Sequence, residues 1–341
     1  MKRMFPGLVL GGGLLAAQTG AFAQMLINGA GATFPNPIYQ KWTAEYKKAD
    51  PTVQINYQSI GSGGGQKQLL EQTVDFGASD VPMKDDQLAK APGKILHIPT
   101  VAGAVVITYN LPGNPKLKFD GPAVANIFLG TITRWNDPRI AALNPGVQLP
   151  DTDMLVVHRS DASGTTGIFT AYLNAVSSEW KTKVGSDTSV QWPAGLGGKG
   201  NEGVSGQVKQ SPGAIGYVEL IYALQNKLPF ADLKNTAGNF VTPSLESITA
   251  AMATAQVPDD LRFMIINPPG EDAYPIGGCT YLLVYQDLKA HIKDPSHAAK
   301  VVAFLKWAET DGQKMASALD YAPLPASLQK RVLEKIGTIK D

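Results

Sequence analysis

Cysteine is nearly absent: Cys279 is the only one in 341 residues. An internal disulfide and a cysteine-based metal cluster are thereby excluded. Histidine is scarce too. The four present, His97, His158, His291 and His297, show no metal-ligand spacing, and no H-E-x-x-H or G-x-S-x-G pattern occurs. No segment approaches the roughly 20 apolar residues of a membrane-spanning helix. An excess of charge of one sign is also missing, since 30 basic residues face 29 acidic ones for a net charge of +1. That balance argues against a general nucleic-acid surface. No metal, cofactor or nucleic-acid partner is expected on these grounds.

What is there points to an α/β chain. Hydrophobic residues make up 44%, enough in a chain of this length for two domains with cores of their own. The 35 glycines and 24 prolines imply many short connections, which suits alternating strands and helices better than a bundle. The first residues read as a cleavable leader over 1–23. Lys2 and Arg3 form its basic end, Leu8 to Ala17 its short apolar stretch, and Ala21-Phe22-Ala23 a small-x-small cleavage signal before Gln24. Loss of Lys2 and Arg3 leaves 28 basic against 29 acidic residues. No cysteine stands directly after the cleavage signal, so a lipid anchor is not expected. A secreted, soluble, periplasmic protein is.

The most informative stretch is Arg159-Ser160-Asp161-Ala162-Ser163-Gly164-Thr165-Thr166-Gly167. Before it, Met154–Val157 reads as a buried strand; after it, Ile168, Phe169, Tyr172 and Leu173 have helical spacing. The polar residues therefore sit where a strand turns into a helix. A helix N-terminus presents unpaired N–H groups and positive dipole charge, and small hydroxyl residues and glycine let an anion approach them. Arg159 adds a planar cation that Asp161 can orient. The same residues also read as an ordinary Ser/Thr cap beside a surface Arg–Asp pair.

Three further segments share this character. Ile27-Asn-Gly-Ala-Gly-Ala-Thr33-Phe34-Pro35 leads into a helix through Ile38, Trp42 and Tyr46, with Thr33 at or near its cap. Val53–Tyr57 alternates as a strand and runs into Ile60-Gly-Ser62-Gly-Gly-Gly65. This turn lacks the G-x-G-x-x-G spacing and the Walker lysine, so its glycines point to something smaller than a nucleotide. Val74–Ala78 reads as a short strand with Ser79 and Asp80 at its carboxyl end, the edge where open α/β sheets bind ligands. Asp80 could equally cap a helix starting near Asp85. His97–Val101 and Ala104–Tyr109 read as further strand material, the latter near-continuously apolar and so buried. His158, opposite in alternation to Arg159, reads as structural, His291 and His297 as surface positions, and the tryptophans as packing.

Taken in order, these segments resemble the periplasmic phosphate-binding proteins of Pst-type ABC importers. Gly195-Leu-Gly-Gly-Lys-Gly-Asn201, Gly213–Glu219 and Gly270–Ile276 fit the same pattern, so the likeness spans the chain after the leader. It implies a two-domain, type II Venus-flytrap fold with the ligand in the interdomain cleft. The division would be 24–108 with 279–341 for one domain and 109–278 for the other. It also implies a monomeric receptor, not an enzyme, that passes inorganic phosphate to a membrane permease. The implied phosphate ligands are Thr33, Phe34, Ser62, Asp80, Arg159, Ser163, Gly164 and Thr165, with Asp161 bracing Arg159. Two positions depart from the family pattern, His158 where arginine is frequent and Gly63 where serine is common. An ionised Asp80 would accept a proton-bearing bond from phosphate and repel sulfate, which has none to give. Two alternatives stand beside this reading: a secreted phosphoester hydrolase using Ser163, and the same fold binding another oxyanion.

Overall fold

The computed structural model describes residues 24–341; the expected leader lies outside them. The strands, in chain order, are β1 Met25–Gly31, β2 Val53–Ser59, β3 Phe76–Ser79, β4 Ile95–Tyr109, β5 Lys118–Phe119, β6 Leu155–Arg159, β7 Leu196–Gly198, β8 Ala214–Glu219, β9 Asp232–Lys234, β10 Phe240–Val241, β11 Ile265–Ile266, β12 Ile276–Tyr285 and β13 Ala322–Pro323. Their order across the main sheet is β2-β1-β3-β12-β4-β8-β6-β7. β11 is added on β12 and β13 on β4, and β10-β9-β5 form a separate small sheet.

β4 joins the halves of this sheet. Its first part pairs antiparallel with β12 through Ala104, and from Val105 onward it pairs antiparallel with β8. The two segments read from sequence as strand material are parts of one element of 15 residues, every one buried. At about 3.3 Å per residue it spans roughly 50 Å. Pro99 and Gly103 lie within it without ending it, because each half finds a different partner and both faces are covered. The result is a two-domain α/β fold of the periplasmic-binding type, with two lobes hung on one strand.

Each lobe is built from parallel strands joined through helices. In one, β1 pairs in parallel with β2 and β3; in the other, β6 pairs in parallel with β7 and β8. Helix Asn36–Ala49 follows β1, helix Ser62–Leu70 follows β2, helix Gly164–Val176 follows β6 and helix Gly200–Gln210 follows β7. Parallel strands need such crossovers, and each crossover brings a helix N-terminus to the carboxyl edge of its sheet. Aromatic side chains hold each lobe together. Tyr39 stacks on Trp42 and meets Tyr57 edge-on, and Phe128, Phe169 and Trp192 surround Tyr217. Trp42, Trp135 and Trp180 are fully buried, in keeping with a packing role.

Candidate oxyanion site

The site lies where the carboxyl edges of β1, β3 and β6 face each other across the cleft. Thr33, Phe34, Ser62, Asp80, Arg159, Ser163 and Thr165 are each at most 3% exposed, and Gly164 is buried with them. All eight residues expected at the site are therefore shielded from solvent.

The contacts between lobes are short and polar. Ser62 Oγ accepts from the Gly164 N–H at 3.1 Å, and the Gly63 N–H donates to the Ala162 carbonyl at 2.9 Å. Asn201 donates through Nδ2 to Thr33 Oγ1 at 2.7 Å across the cleft, and to Thr165 Oγ1 at 3.1 Å within its own lobe. Tyr222 Oη donates to the Thr33 carbonyl at 2.6 Å. Two glycines make the approach possible. Gly61 has φ +90°, and a Cβ there would fall 2.4 Å from Asp161 Oδ2. A Cβ on Gly164 would fall 2.4 Å from Ser62 Oγ and 2.5 Å from Asp80 Oδ2.

Positive charge is concentrated but largely neutralised. Arg159 Nε and Nη2 donate to the two oxygens of Asp161 at 2.8 and 2.5 Å, and Nη1 reaches Thr165 Oγ1 at 3.3 Å. Burial alone would raise the Asp161 carboxyl, but Arg159 and the Gly200 N–H override it and hold it below its ordinary 3.8. Around this pair stand the N-termini of helices Ser62–Leu70, Gly164–Val176 and Gly200–Gln210. Ser163 caps the second of these by accepting from the Thr166 N–H at 3.1 Å. Among the described residues, the N–H groups of Phe34 and Thr165 have no acceptor. Unpaired N–H groups in a first helical turn and in the adjoining loop are available to an acceptor-rich ligand.

Of the two carboxylates expected at the site, Asp80 is the one without an arginine in direct contact. Burial pushes it up to about 7, against the lowering effect of the Thr280 hydroxyl, the Arg159 charge and Ser62. Read from sequence as simply ionised, it is instead poised between its two forms near neutrality. An anion without a proton would meet its charge at close range, whereas an anion with one could donate to it.

A model of the PBP superfamily domain matches residues 16–311. The phosphate-binding protein PstS of Xylella fastidiosa is 48% identical over 312 residues, covering 90% of this chain and 83% of that protein. The chain belongs to the PstS family. The PstS of Methanocaldococcus jannaschii is 40% identical over 357 residues, covering 98% of this chain and 92% of its own. In fold, the chain is similar to a phosphate-binding protein from Stenotrophomonas maltophilia, with a TM-score of 0.68 at 20% identity over 91% and 93% of the two chains.

Against this PstS-family frame, several local expectations change. Thr33 does not cap the first helix, which starts at Asn36 with a second proline, Pro37, in its first turn. Its hydroxyl is free to accept from Asn201 instead. Asp80 does not cap the helix at Asp85 either; there Gln87 Oε1 takes the Lys84 N–H at 2.8 Å. His291 and His297 are half-buried rather than on the surface, since His291 stacks on Tyr285 and His297 lies 3.2 Å from Asp75. His158 stacks on Trp192, as its face of the strand implied. Ser163 has no imidazole among its hydrogen-bond partners.

Three site neighbours escaped sequence reasoning. Asn201 lies in a recognised Gly-rich loop, where a short amide in the first helical turn was the available signal. Tyr217, which bonds Thr166 Oγ1 at 2.6 Å and takes the Arg159 N–H at 3.1 Å, is one aromatic in an apolar strand. Thr280 is a hydroxyl inside another.

Proposed function

We propose that this chain is a periplasmic receptor that captures inorganic phosphate and delivers it to the membrane permease of an ABC importer, working as a monomer. The observation that carries this reading is the pairing of Arg159–Asp161 and converging helix N-termini with a buried carboxyl, Asp80. Dipoles and a neutralised arginine suit a small oxyanion, and Asp80 restricts the choice to one carrying a proton. Its ligands are Thr33, Phe34, Ser62, Asp80, Arg159, Ser163, Gly164 and Thr165, with Asp161 as brace. PstS-family membership supports both the ligand and the importer. We read 24–108 with 279–341 as one domain and 109–278 as the other. The change of partner along β4 between Ala104 and Val105 supports that division.

Calorimetric titration of phosphate into the ligand-stripped protein, with sulfate as competitor, tests the reading. One tight site per chain that sulfate does not displace at pH 8 is expected. Equal competition by sulfate overturns the ligand assignment. Absent binding, together with turnover of a phosphoester, would move the role of Ser163 to catalysis.

A further inference from the structure

Thr280 is fully buried in β12, in a stretch that is otherwise apolar or small. β12 runs antiparallel to β3 with Tyr281 opposite Ser79 and Leu282 opposite Ala78. One step further along, Thr280 stands opposite Asp80. On its other side the ladder to β4 breaks: Cys279 faces Ala102 but Tyr281 faces Pro99, so Thr100 and Val101 together oppose Thr280. Such an irregularity re-aims side chains and is costly unless it is held in place. Here it is held from several directions. Thr100 Oγ1 donates to the Thr280 carbonyl at 3.2 Å and meets Tyr39 Oη at 3.0 Å. Gln313 Nε2 donates to the Thr100 carbonyl, and β13 pairs with Ala102 and Val101.

The outcome is a single aimed hydroxyl. Thr280 Oγ1 donates to Asp80 Oδ1 at 2.9 Å. Asp80 Oδ2 instead faces the cradle, 3.4 Å from Ser62 Oγ and close against Gly164. We propose that Thr280 is a positioning residue for anion selectivity: its hydroxyl occupies one Asp80 oxygen, directs the other at the ligand, and favours the proton-accepting form of the carboxylate. This rests on the reading of Asp80 as selector.

A bond donated to a carboxylate stabilises the ionised form, so its loss moves protonation to higher pH. The other ionisable groups facing Asp80 are Arg159 and Asp161 across the cleft, Glu219 at the end of β8, Tyr39, Tyr57, Tyr321 and Cys279. Of these, Arg159 also favours ionisation, while Asp161 opposes it. A protonated Asp80 can donate to sulfate. Thr280 therefore sets the pH below which sulfate is admitted.

The test is calorimetric titration of phosphate and of sulfate between pH 5 and 9, using the wild-type protein, Thr280→Val, Thr280→Ala and Thr280→Ser. In Thr280→Val the onset of sulfate binding should move up by about one pH unit, and phosphate preference at pH 7.5 should fall about tenfold. Thr280→Ser should restore both, and Thr280→Ala provides the same readout if the valine variant does not fold. Unchanged onset and preference would overturn the proposal, as would equal weakening of both anions at every pH. Failure of the underlying reading appears separately, as wild-type protein that does not prefer phosphate at pH 8.

Discussion

On the β6 side of the cleft, the site groups come from one contiguous stretch, Arg159 to Thr165. On the opposite side they are gathered from Thr33, Ser62 and Asp80, at the ends of three different connections. Each side contributes one carboxylate to the site, and the two behave in opposite ways. Asp161 is held below its ordinary value, with both oxygens bonded by Arg159. Asp80 is pushed up to about 7 by burial, with a hydroxyl rather than a cation in contact. The same side chain is thus a fixed brace in one lobe and, on the function proposed above, a proton acceptor in the other. Which role it takes depends on whether an opposite charge offsets desolvation.

The largest effect should come from breaking the brace side. Arg159→Ala removes the cation and leaves Asp161 buried without its partner, a loss of about 3–5 kcal/mol where such pairs have been broken. Phosphate affinity should fall on the order of 10³-fold in calorimetry, with a lower melting temperature. A change below tenfold would mean that the dipoles alone carry binding.

The next comparison is between the two carboxylates. Asp80→Asn should cut the phosphate-over-sulfate ratio by at least about 10²-fold, since a site built around a ligand OH can reject analogues lacking it by about 10⁴-fold. Asp161→Asn should weaken both anions and leave the ratio near wild type. In the wild-type protein, sulfate binding should grow as pH falls through about 7 and vanish above it, because Asp80 then loses its proton. The reverse pattern between the two variants would exchange their roles.

Gly164→Ala tests closure itself. Its methyl group would press on Ser62 and Asp80, and overpacking of this kind costs about 1–3 kcal/mol. Phosphate should bind about 10- to 100-fold more weakly, and small-angle scattering should show less compaction on ligand addition.

His97 concerns the scaffold behind Asp80. Its Nε2 accepts the Met83 N–H at 3.0 Å, and burial lowers its pKa to about 4, with help from the Arg262 charge. A depressed histidine value means that the unfolded chain takes up the proton first. Stability from this group is therefore present above about 6.5 and lost as pH falls toward 4, by about 2–3 kcal/mol. The acid shift of the melting temperature should be smaller in His97→Gln.

The smallest effect should come from the rim, where Lys84 and Asp187 join the lobes at 2.6 Å but are both about half exposed. Lys84→Ala should accelerate phosphate release by no more than a few-fold in stopped flow, in line with about 0–1 kcal/mol for an exposed pair.

Much of the site was legible because its chemistry is local. Arg159, Asp161 and the hydroxyls after them lie within one helical turn of a strand end, so spacing alone places them at a helix N-terminus. Glycines beside hydroxyls marked Ser62 in the same way. Asn201 and Thr280 were not legible as site neighbours, because nothing local marks what either side chain will reach. Each reaches its partner across a lobe boundary or a strand pair, and only long-range packing defines those distances. Thr33 shows the same limit, since local spacing suggested a cap and the second proline with Asn201 gave its hydroxyl other work.

By itself the sequence determined the element types, the anion-compatible turns and the chemical identity of the groups at each, because these depend on periodicity and on residues a few positions apart. The tertiary structure alone decided that β4 runs unbroken through both lobes, since strand continuity depends on partners recruited from distant parts of the chain. It also decided how far the Asp80 carboxyl is raised above its ordinary range. A carboxylate's pKa follows from desolvation and from what faces it, and Arg159, Thr280 and Ser62 come together there only when the chain has folded.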